Sequence, residues 1–383
     1  MKVVKIFITL CISLIFLCGC GVKNSKTVVQ FASWGSKSEV DIIKPLLKDF
    51  EKQNPDIKVD FMHIPQNYFQ KIHLLFASNT APDVIFINNQ YLPVYANAGM
   101  LEELCNNNSL TCEGDRGAAA GFYPQAVNAL SFNGKIYAIP RDVSNLVLFY
   151  NKDLFDKNGV SYPSDNWTFE EFLSKAKQLS KNGNFGISFE EDPLFYLPYL
   201  MSNGGGFYDT DKPESRDAID FYADLRKKYH VAPLKSDSAS ATMAQMFLQK
   251  RLGMYISGRW MIPKLREEAD FDWDIASFPK GTKGSIVPLD ASGWAIAKSS
   301  LHKEEAMKLV NYLSSAESIK KLCESGLIVP ALKEASSCII DNQKPESSRI
   351  FLNVIETSVP TPVTVDYREV LDNLKKDMEP RFN

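Results

Sequence analysis

Three tryptophans stand beside the ends of predicted strands, where aromatic rings can face a ligand. Trp34, Trp260 and Trp294 each follow or interrupt an apolar run next to glycine or polar residues. Aromatic faces suit the C–H faces of a sugar ring, and planar polar groups suit its hydroxyls. We interpret the three as ligand contacts, with ordinary packing as the alternative. Trp167 precedes a helix-capping pattern and Trp273 lies in an alternating strand, so we expect both to pack in the core.

Polar residues near strand ends extend this candidate site. Asn88 and Asn89 end a buried strand, and a turn or helix cap is the alternative for them. Asp290 precedes a later strand and is predicted either to bind a hydroxyl or to cap a turn. Further candidates lie at a helix start, in a glycine run with accessible amide groups and in the tail, namely Gln66, Tyr68, Asn203, Gly204, Gly205 and Tyr367.

Three charged residues lie beside apolar segments. Arg141 and Asp142 separate the apolar runs 136–139 and 146–150. An unpaired buried charge is costly, so the two either contact ligand hydroxyls or pair with each other. Arg259 precedes Trp260 and suits a carboxylate or phosphate bidentately, with a salt bridge to a nearby acid as the alternative.

Catalytic chemistry has little support. Adjacent acids, Glu190-Glu191-Asp192, fit either the paired carboxylates of a glycosidase or a solvated charge run, and we favour the second. The sequence has no Gly-x-Ser-x-Gly, phosphate loop or His-Glu-x-x-His motif.

Length and charge restrict the class of protein. A chain of 383 residues is expected to form about two domains. The net charge of −3 argues against a nucleic-acid binder, which needs a basic face. With four histidines and no Cys-x-x-Cys, a zinc site is poorly supported, so no metal is predicted.

Residues 1–20 have the plan of a secretion signal. Lys2 and Lys5 precede a short apolar centre, which is too short for a spanning helix. The ending Leu17-Cys18-Gly19-Cys20 resembles a bacterial lipobox, which implies lipidation of Cys20. A plain signal peptide or an uncleaved anchor is the alternative. Residues 21–27 are polar and suit a tether between the lipid and the folded body.

Export makes disulfides possible. Cys105 and Cys112 flank a polar loop, and Cys323 and Cys338 flank a glycine and a proline. Each local pair is a candidate bridge outside the cytosol, and buried free thiols are the alternative.

The elements between these candidates follow the pattern of a parallel α/β sheet. Strands are predicted at 28–32, 57–64 and 82–87, with helices at 36–53 and 66–77 between them. Such sheets bind ligands at the carboxyl ends of their strands, which is where Trp34 and Asn88 lie. The alternation restarts after Asn151, so we expect a second α/β lobe.

An ordered series of motifs behind the leader resembles one family. The motifs are Phe50-Glu51-x-x-Asn54-Pro55-x-Ile57-x-Val59, Ala81-Pro82-Asp83-Val84, Ala98-Gly99-x-Leu101-x-x-Leu104, Gly134-Lys135-x-Tyr137-Ala138-x-Pro140, Tyr150-Asn151-Lys152-Asp153-Leu154-Phe155, Met254-Tyr255-Ile256-Ser257-Gly258-Arg259-Trp260 and Gly293-Trp294-Ala295-Ile296. The series is similar to that of bacterial extracellular solute-binding proteins of family 1, the maltose-binding-protein-like receptors of ABC sugar importers. Arg259 stands where that family usually has a small residue.

The resemblance implies a two-lobe, type II periplasmic-binding-protein-like fold, with a sheet flanked by helices in each lobe. We predict an N-terminal lobe of residues 28–139 and 292–330 and a C-terminal lobe of 140–291 and 331–383, joined by hinge crossings. The implied function is capture of a sugar or sugar-like solute by hinge closure and delivery to the transmembrane subunits of an ABC permease, without catalysis or cofactor. We expect an exported, lipid-anchored monomer in the periplasm or at the outer face of the cell membrane.

Two alternatives remain open. The first is a receptor for a non-sugar solute such as a glycerol phosphodiester, a polyamine or iron. Few acids lie at strand ends, which disfavours a polyamine, and no His/Tyr cluster points to iron. The second is a secreted carbohydrate-active hydrolase.

Overall fold

The computed structural model describes residues 26–106, 120–238, 241–340 and 343–383. The leader with Cys20, and Cys112, lie outside these ranges, so the lipidation and the Cys105–Cys112 predictions stay untested. Among the described residues, no helix has the length and apolar character needed to cross a membrane.

Strands lie along the whole described chain. They are β1 (Thr27–Ser33), β2 (Ile57–His63), β3 (Val84–Asn88), β4 (Cys105–Asn106), β5 (Ser131–Phe132), β6 (Lys135–Ile136), β7 (Ala138–Asn145), β8 (Val147–Asn151), β9 (Phe185–Ile187), β10 (Leu252–Ser257), β11 (Trp273–Ala276), β12 (Pro288–Ile296), β13 (Val329–Pro330) and β14 (Val359–Pro360). The predicted strands at 28–32, 57–64 and 82–87 correspond to β1, β2 and β3.

Helices connect most of these strands. They are α1 (Lys37–Gln53), α2 (Tyr68–Ala77), α3 (Leu92–Asn97), α4 (Pro124–Ala129), α5 (Lys152–Lys157), α6 (Phe169–Leu179), α7 (Pro193–Asn203), α8 (Pro213–Lys227), α9 (Lys235–Ser238), α10 (Met243–Leu248), α11 (Ile262–Glu268), α12 (Lys303–Leu313), α13 (Ala316–Glu324), α14 (Ile350–Thr357) and α15 (Tyr367–Phe382), with 3₁₀ turns at Phe207–Asp209, Arg259–Met261 and Lys333–Ile339.

The strands form two main sheets. The first has the order β13-β7-β12-β3-β1-β2, with β14 beside β12, and the second has the order β11-β8-β10-β9. A small third sheet has the order β4-β6-β5. Strands β2, β1 and β3 are parallel, as helices α1 and α2 between them require, whereas β12 runs antiparallel to β3 and β7. The antiparallel strand β12 therefore brings its amino end beside the carboxyl ends of β3 and β7.

Helix α1 illustrates how the sequence produces this packing. Ser36 caps it, since the Ser36 hydroxyl accepts a hydrogen bond from the Glu39 amide at 3.3 Å. Apolar residues at helical spacing then form the buried face against the first sheet, including Ile43, Leu46 and Phe50. Ser36-x-x-Glu39 has the sequence of a capping box, but only the Ser36 half forms, because the Glu39 side chain bonds to Arg141.

The chain changes sheet where β7 meets β8. Strand β7 pairs with β12 as far as Asn145, and β8 begins at Val147, so Leu146 alone links the two strands. The chain returns at β12, which pairs with β7 from Leu289 onwards. The chain therefore passes to the second sheet after the predicted junction between residues 139 and 140. Pro140 lies inside β7 and not at the end of that strand. The division of the chain into lobes at those residues stays a prediction.

A disulfide closes the loop that contains β13. Cys323 at the end of α13 and Cys338 in the turn Lys333–Ile339 are bonded, with their Cα atoms 6.1 Å apart. The closed loop contains β13, where Val329 pairs with Val143 of β7. The bridge therefore holds the β13 loop beside β7, the strand that leads from the first sheet to the second.

Candidate ligand-binding cleft

A cleft of about 200 Å³ lies where the strand ends of the two sheets meet. The first sheet contributes the carboxyl ends of β1, β3 and β7 and the amino end of β12, as expected for ligand sites in α/β sheets. The second sheet's side contributes the turn after β10 and the start of α7. The lining residues are Trp34, Phe86, Asn88, Ser144, Asn145, Leu146, Leu194, Trp260, Pro288, Asp290 and Ser292.

Two tryptophans line this cleft from opposite sides. Trp34 is 49% exposed and packs against Phe86 with ring centroids 6.0 Å apart. Trp260 is 39% exposed. A Cβ atom on Gly258 would lie 2.0 Å from Cζ3 of Trp260, so the ring lies over the Gly258 backbone and depends on a glycine there. Both predicted aromatic contacts therefore have faces that a solute can reach.

Two amide side chains hold Asp290 at the cleft. Asn89 Nδ2 donates to Asp290 Oδ1 at 2.9 Å, and Gln90 Nε2 donates to Oδ2 at 3.0 Å. A carboxylate offers about four acceptor sites, so Asp290 can also accept hydrogen bonds from solute hydroxyls. Asn89 is 2% exposed, and its Oδ1 accepts from the Ala291 amide. Asn89 therefore joins β3 to β12. The sequence predicted it as a ligand contact, but it does not line the cleft.

Among the described lining residues of the cleft, Asp290 is the one acidic side chain. It is also the one titratable side chain among these described residues; the others are aromatic, aliphatic, amide or hydroxyl groups. Asn88 lines the cleft as predicted and accepts a hydrogen bond from the Tyr91 amide at 3.3 Å through Oδ1. The cleft therefore suits a neutral, hydroxylated solute better than an anion.

Arg141 and Asp142 lie in the core of the first sheet. Arg141 is 4% exposed and bonds to Asp142 through Nε and to Glu39 through Nη1, each at 2.5 Å. Its guanidinium also packs over the rings of Phe86 and Trp294, about 5 Å from each centroid. Burial raises the pKa of the Asp142 carboxyl, and the neighbouring Arg141 charge opposes that shift. Of the two interpretations for this pair, the structure supports mutual pairing and not contact with ligand.

Trp294 and Tyr68 are also buried, so the prediction that they contact ligand is wrong. Trp294 has no exposed surface and packs between Phe31 and Phe86. Tyr68 is 4% exposed, and its hydroxyl lies 3.0 Å from the backbone oxygens of both Ala32 and Phe86. Tyr68 joins the ends of β1 and β3. The predicted core positions of Trp167 and Trp273, 1% and 2% exposed, are confirmed.

The glycine run after α7 lies at the wrong end of its helix. Leu194, near the start of α7, lines the cleft, and Asn203 is nine residues further on, which is about 13 Å along the axis. Asn203 Oδ1 accepts from the Thr282 amide, and Gly204 packs against Lys283. Asn203 and Gly204 therefore contact the 281–284 turn, Gly205 packs against Ser215, and none of the three lines the cleft.

The remaining predicted residues lie around the cleft and not on its lining. Arg259 is 2% exposed, donates to the Cys323 carbonyl at 3.4 Å and packs over the Phe351 ring. Gln66 is exposed and does not line the cleft. Tyr367 is 4% exposed, and burial raises the pKa of its hydroxyl, with the Asp290 carboxylate adding to the shift. Tyr367 therefore lies close to Asp290 but behind the surface.

The three adjacent acids have mostly structural partners. Glu191 pairs with Arg226 and Lys235, and Asp192 caps α7 by accepting from the Leu194 amide. Burial raises the pKa of Glu190 to about 7, and Asp192 and Glu191 add to the shift. None of the three lines the cleft, which weakens the glycosidase interpretation.

Several lining residues were not predicted. They are Phe86, Ser144, Asn145, Leu146, Leu194, Pro288 and Ser292. The end of β3 is a usable signal for Phe86, which precedes Asn88 by two positions and shares its face of the strand. Ser144 and Asn145 end β7, and locating that end requires the change of sheet at Leu146.

These features define a class of protein: a two-lobed binding protein whose ligand site is a cleft between the lobes. The chain belongs to the bacterial extracellular solute-binding protein family, whose model matches residues 35–320. The predicted family is thereby confirmed.

Relatives and solved structures agree with this assignment. The chain is 23% identical to the galactooligosaccharide-binding protein of Bacillus subtilis over 92% of this chain and 86% of that one. It is 27% identical to an ABC substrate-binding protein of Listeria monocytogenes in complex with cycloalternan, with a TM-score of 0.82 and 94% of each chain covered. The GacH receptor of Streptomyces glaucescens is 23% identical, with a TM-score of 0.79 and 93% of each chain covered. The predicted type II, two-lobe fold is confirmed.

Proposed function

We propose that the protein captures a neutral sugar or oligosaccharide as the solute-binding component of an ABC importer. The observation that carries this proposal is the pair Trp34 and Trp260, two partly exposed rings on opposite sides of a cleft whose single described charge is Asp290. Aromatic faces and hydroxyl acceptors are the groups that bind sugars. The names of the Bacillus and Listeria relatives, which refer to oligosaccharides, support the same class.

Capture proceeds by closure of the two lobes on the solute. Trp34 follows β1 of the first sheet and Trp260 follows β10 of the second, so a bound ring contacts both sides. A solute that makes more contacts in the closed state stabilises that state. Rotation takes place about the connections at Leu146, at the start of β12 and after β13.

A glycerol phosphodiester is the less favoured solute. An anion needs a basic partner, and the described lining residues include none. Arg141 is bonded to two carboxylates, and Arg259 is buried against the Cys323 carbonyl. Both arginines therefore lie away from the solute.

Anchoring and delivery follow from the sequence outside the cleft. The leader and the lipobox ending at Cys20 support export and attachment to the membrane by a lipid. Membership of the extracellular solute-binding family supports delivery to the transmembrane subunits of a permease. The protein acts as a monomer and without catalysis.

A thermal-shift screen tests the function. The panel contains neutral mono- and oligosaccharides, polyols, sugar phosphates and glycerophosphocholine, since a ligand of the native state raises the melting temperature. We expect a rise with a neutral sugar that is lost in Trp34→Ala and Trp260→Ala. A rise with glycerophosphocholine alone would reject sugar capture, and release of shorter sugars from an incubated oligosaccharide would indicate a hydrolase.

A further inference from the structure

A second, larger groove crosses from one lobe to the other. It has a volume of about 670 Å³ and is lined from the first lobe by α2 and α3 and from the second by the start of α15. Helix α15 belongs with the second lobe, because its end is held by Arg226 of α8, which donates to the Phe382 carbonyl. Any group that fills this groove therefore contacts both lobes, as a solute in the cleft does.

The groove has an uncovered apolar part, which lies beside polar and charged side chains of α2 and of the start of α15. Phe69 and Tyr91 stack face to face with centroids 3.7 Å apart. Leu74 is 67% exposed and Val365 is 44% exposed, although both line the groove. Exposed aliphatic side chains gain from contact with an apolar group and offer nothing to hydroxyls.

The polar lining of the groove consists of Gln70, His73, Asp366, Arg368, Glu369 and the hydroxyls of Tyr91 and Tyr95. Three of these groups have partners within the groove. The Tyr95 hydroxyl donates to the Phe69 carbonyl at 3.1 Å. Arg368 donates through Nη1 to the Tyr91 hydroxyl, and its guanidinium lies 5.3 Å from the Tyr91 ring centroid. This pair joins the two lobes directly, and the groove offers apolar contact beside a charged rim at the start of α15.

The groove lies next to the cleft along the chain. Gln90 bonds to Asp290 of the cleft, and the next residue, Tyr91, lines the groove. On the opposite wall Tyr367 lies near Asp290, and the next residue, Arg368, lines the groove. Successive Cα atoms are about 3.8 Å apart, so on each wall the backbone passes from the neighbourhood of Asp290 to the groove within one residue, while the two pockets have no described lining residue in common.

We propose that the groove is a second ligand compartment, which holds an apolar aryl or alkyl group attached to the sugar in the cleft. The inference rests on the proposed capture of a neutral sugar. The cleft, at about 200 Å³, is smaller than the roughly 300–1,000 Å³ of common ligand sites, whereas the groove falls within that range. The natural solute is therefore a glycoside with an apolar aglycone, and the lobes close on both parts.

Matched ligands test the proposal by isothermal titration calorimetry on the full mature chain. Glucose, galactose, mannose and maltose are each compared with their 4-nitrophenyl and octyl glycosides, and maltose also with maltotriose. We expect at least one glycoside to bind about tenfold or more tightly than its parent sugar, because burying a phenyl-sized apolar group is worth at least that factor. The 4-nitrophenyl and octyl arms distinguish an aryl from an alkyl aglycone.

Variants test whether the groove causes the gain in affinity of the glycoside over the parent sugar. In Leu74→Gln/Val365→Gln the glycoside is expected to bind no more tightly than the parent sugar, whose affinity is unchanged. Leu301→Gln, at a position 91% exposed and outside both sites, is the control and keeps the gain. Three results would overturn the second compartment and leave sugar capture standing. They are equal affinities for sugar and glycoside, a gain in affinity that survives the double variant, and a gain confined to maltotriose. Binding of no member of any pair would overturn sugar capture and the compartment with it.

Discussion

Glu39 and Arg141 form a buried ion pair between residues 102 positions apart, with Oε1 of Glu39 2.5 Å from Nη1 of Arg141. The pair joins the first turn of α1 to β7, the strand that leads to the second lobe. Gly35 makes room for it, since its φ is +146° and a Cβ there would lie 2.6 Å from Glu39 Oε2. Arg141, predicted from the sequence either to contact ligand or to form an ion pair, is thus part of the framework behind the cleft.

Removal of this arginine is expected to reduce stability and not solute affinity. Arg141→Ala leaves Glu39 and Asp142 buried without a positive charge, which costs about 3–5 kcal/mol. Urea unfolding measures the free energy, and calorimetry measures sugar affinity of the folded fraction. Lys37→Ala is the control, because the Lys37–Asp41 pair is exposed and its loss should change stability little. Weaker sugar binding at unchanged stability would instead place Arg141 at the ligand.

The tryptophans should divide into two groups. Trp34→Ala and Trp260→Ala remove partly exposed rings from the cleft and are expected to weaken sugar binding by about 2 kcal/mol or more. Trp294→Ala empties a core position and should cost about 3–5 kcal/mol of stability. Titration calorimetry and urea unfolding of the same three variants separate the effects. The assignment is wrong if Trp34→Ala binds sugar as tightly as the parent protein.

The Cys323–Cys338 bridge should stabilise the folded chain. It closes a loop of 15 residues, for which the loss of unfolded-state entropy corresponds to about 3 kcal/mol. Cys323→Ser/Cys338→Ser is therefore expected to lower the free energy of unfolding by about that amount. Urea unfolding without reductant measures it, and a double variant as stable as the parent would refute the bridge's contribution.

Stability should fall as pH rises through the titration of Glu190. Its pKa is raised to about 7 in the folded protein, chiefly by burial. The unfolded value is about 4.3, so between these pH values the folded state retains a proton that the unfolded chain has lost. The resulting penalty grows from about pH 4.3 and is complete above about pH 7. Glu190→Gln has no such proton to lose, so its stability advantage over the parent should widen across this range.

Chemical unfolding at several pH values tests the Glu190 prediction. Asp153→Asn, which removes an acid from another part of the second lobe, is the control for general charge effects. A stability difference between Glu190→Gln and the parent protein that stays constant from acid to alkaline pH would contradict the raised pKa.

Local sequence predicted the fold well because strand and helix periods are local. The strands before Trp34 and Asn88 have the expected positions, and both residues line the cleft. The same rule failed for Trp294 because the glycine before it serves a different purpose. A Cβ on Gly293 would lie 2.2 Å from the Ile139 carbonyl oxygen, so this glycine permits close strand packing and not access by a ligand.

The rest of the site depends on information that no short segment contains. The glycines after Asn203 have the composition of a ligand loop, but only the direction of α7 shows that its other end, at Leu194, reaches the cleft. Arg141 and Asp142 form part of a buried network because Glu39, from a helix 102 positions earlier, lies beside Arg141. Long-range partners therefore decide which charges are structural.

The single-residue link at Leu146 has a practical consequence. Because β7 and β8 join without a loop, the proposed closure would be a change of the angle between the two halves, with displacements that grow with distance from the link. Dyes attached at Lys71 on α2 and Lys376 on α15, both exposed, would lie on opposite halves. Energy transfer between them would report occupancy directly, which makes the protein a template for a reagentless optical sensor of its own solute.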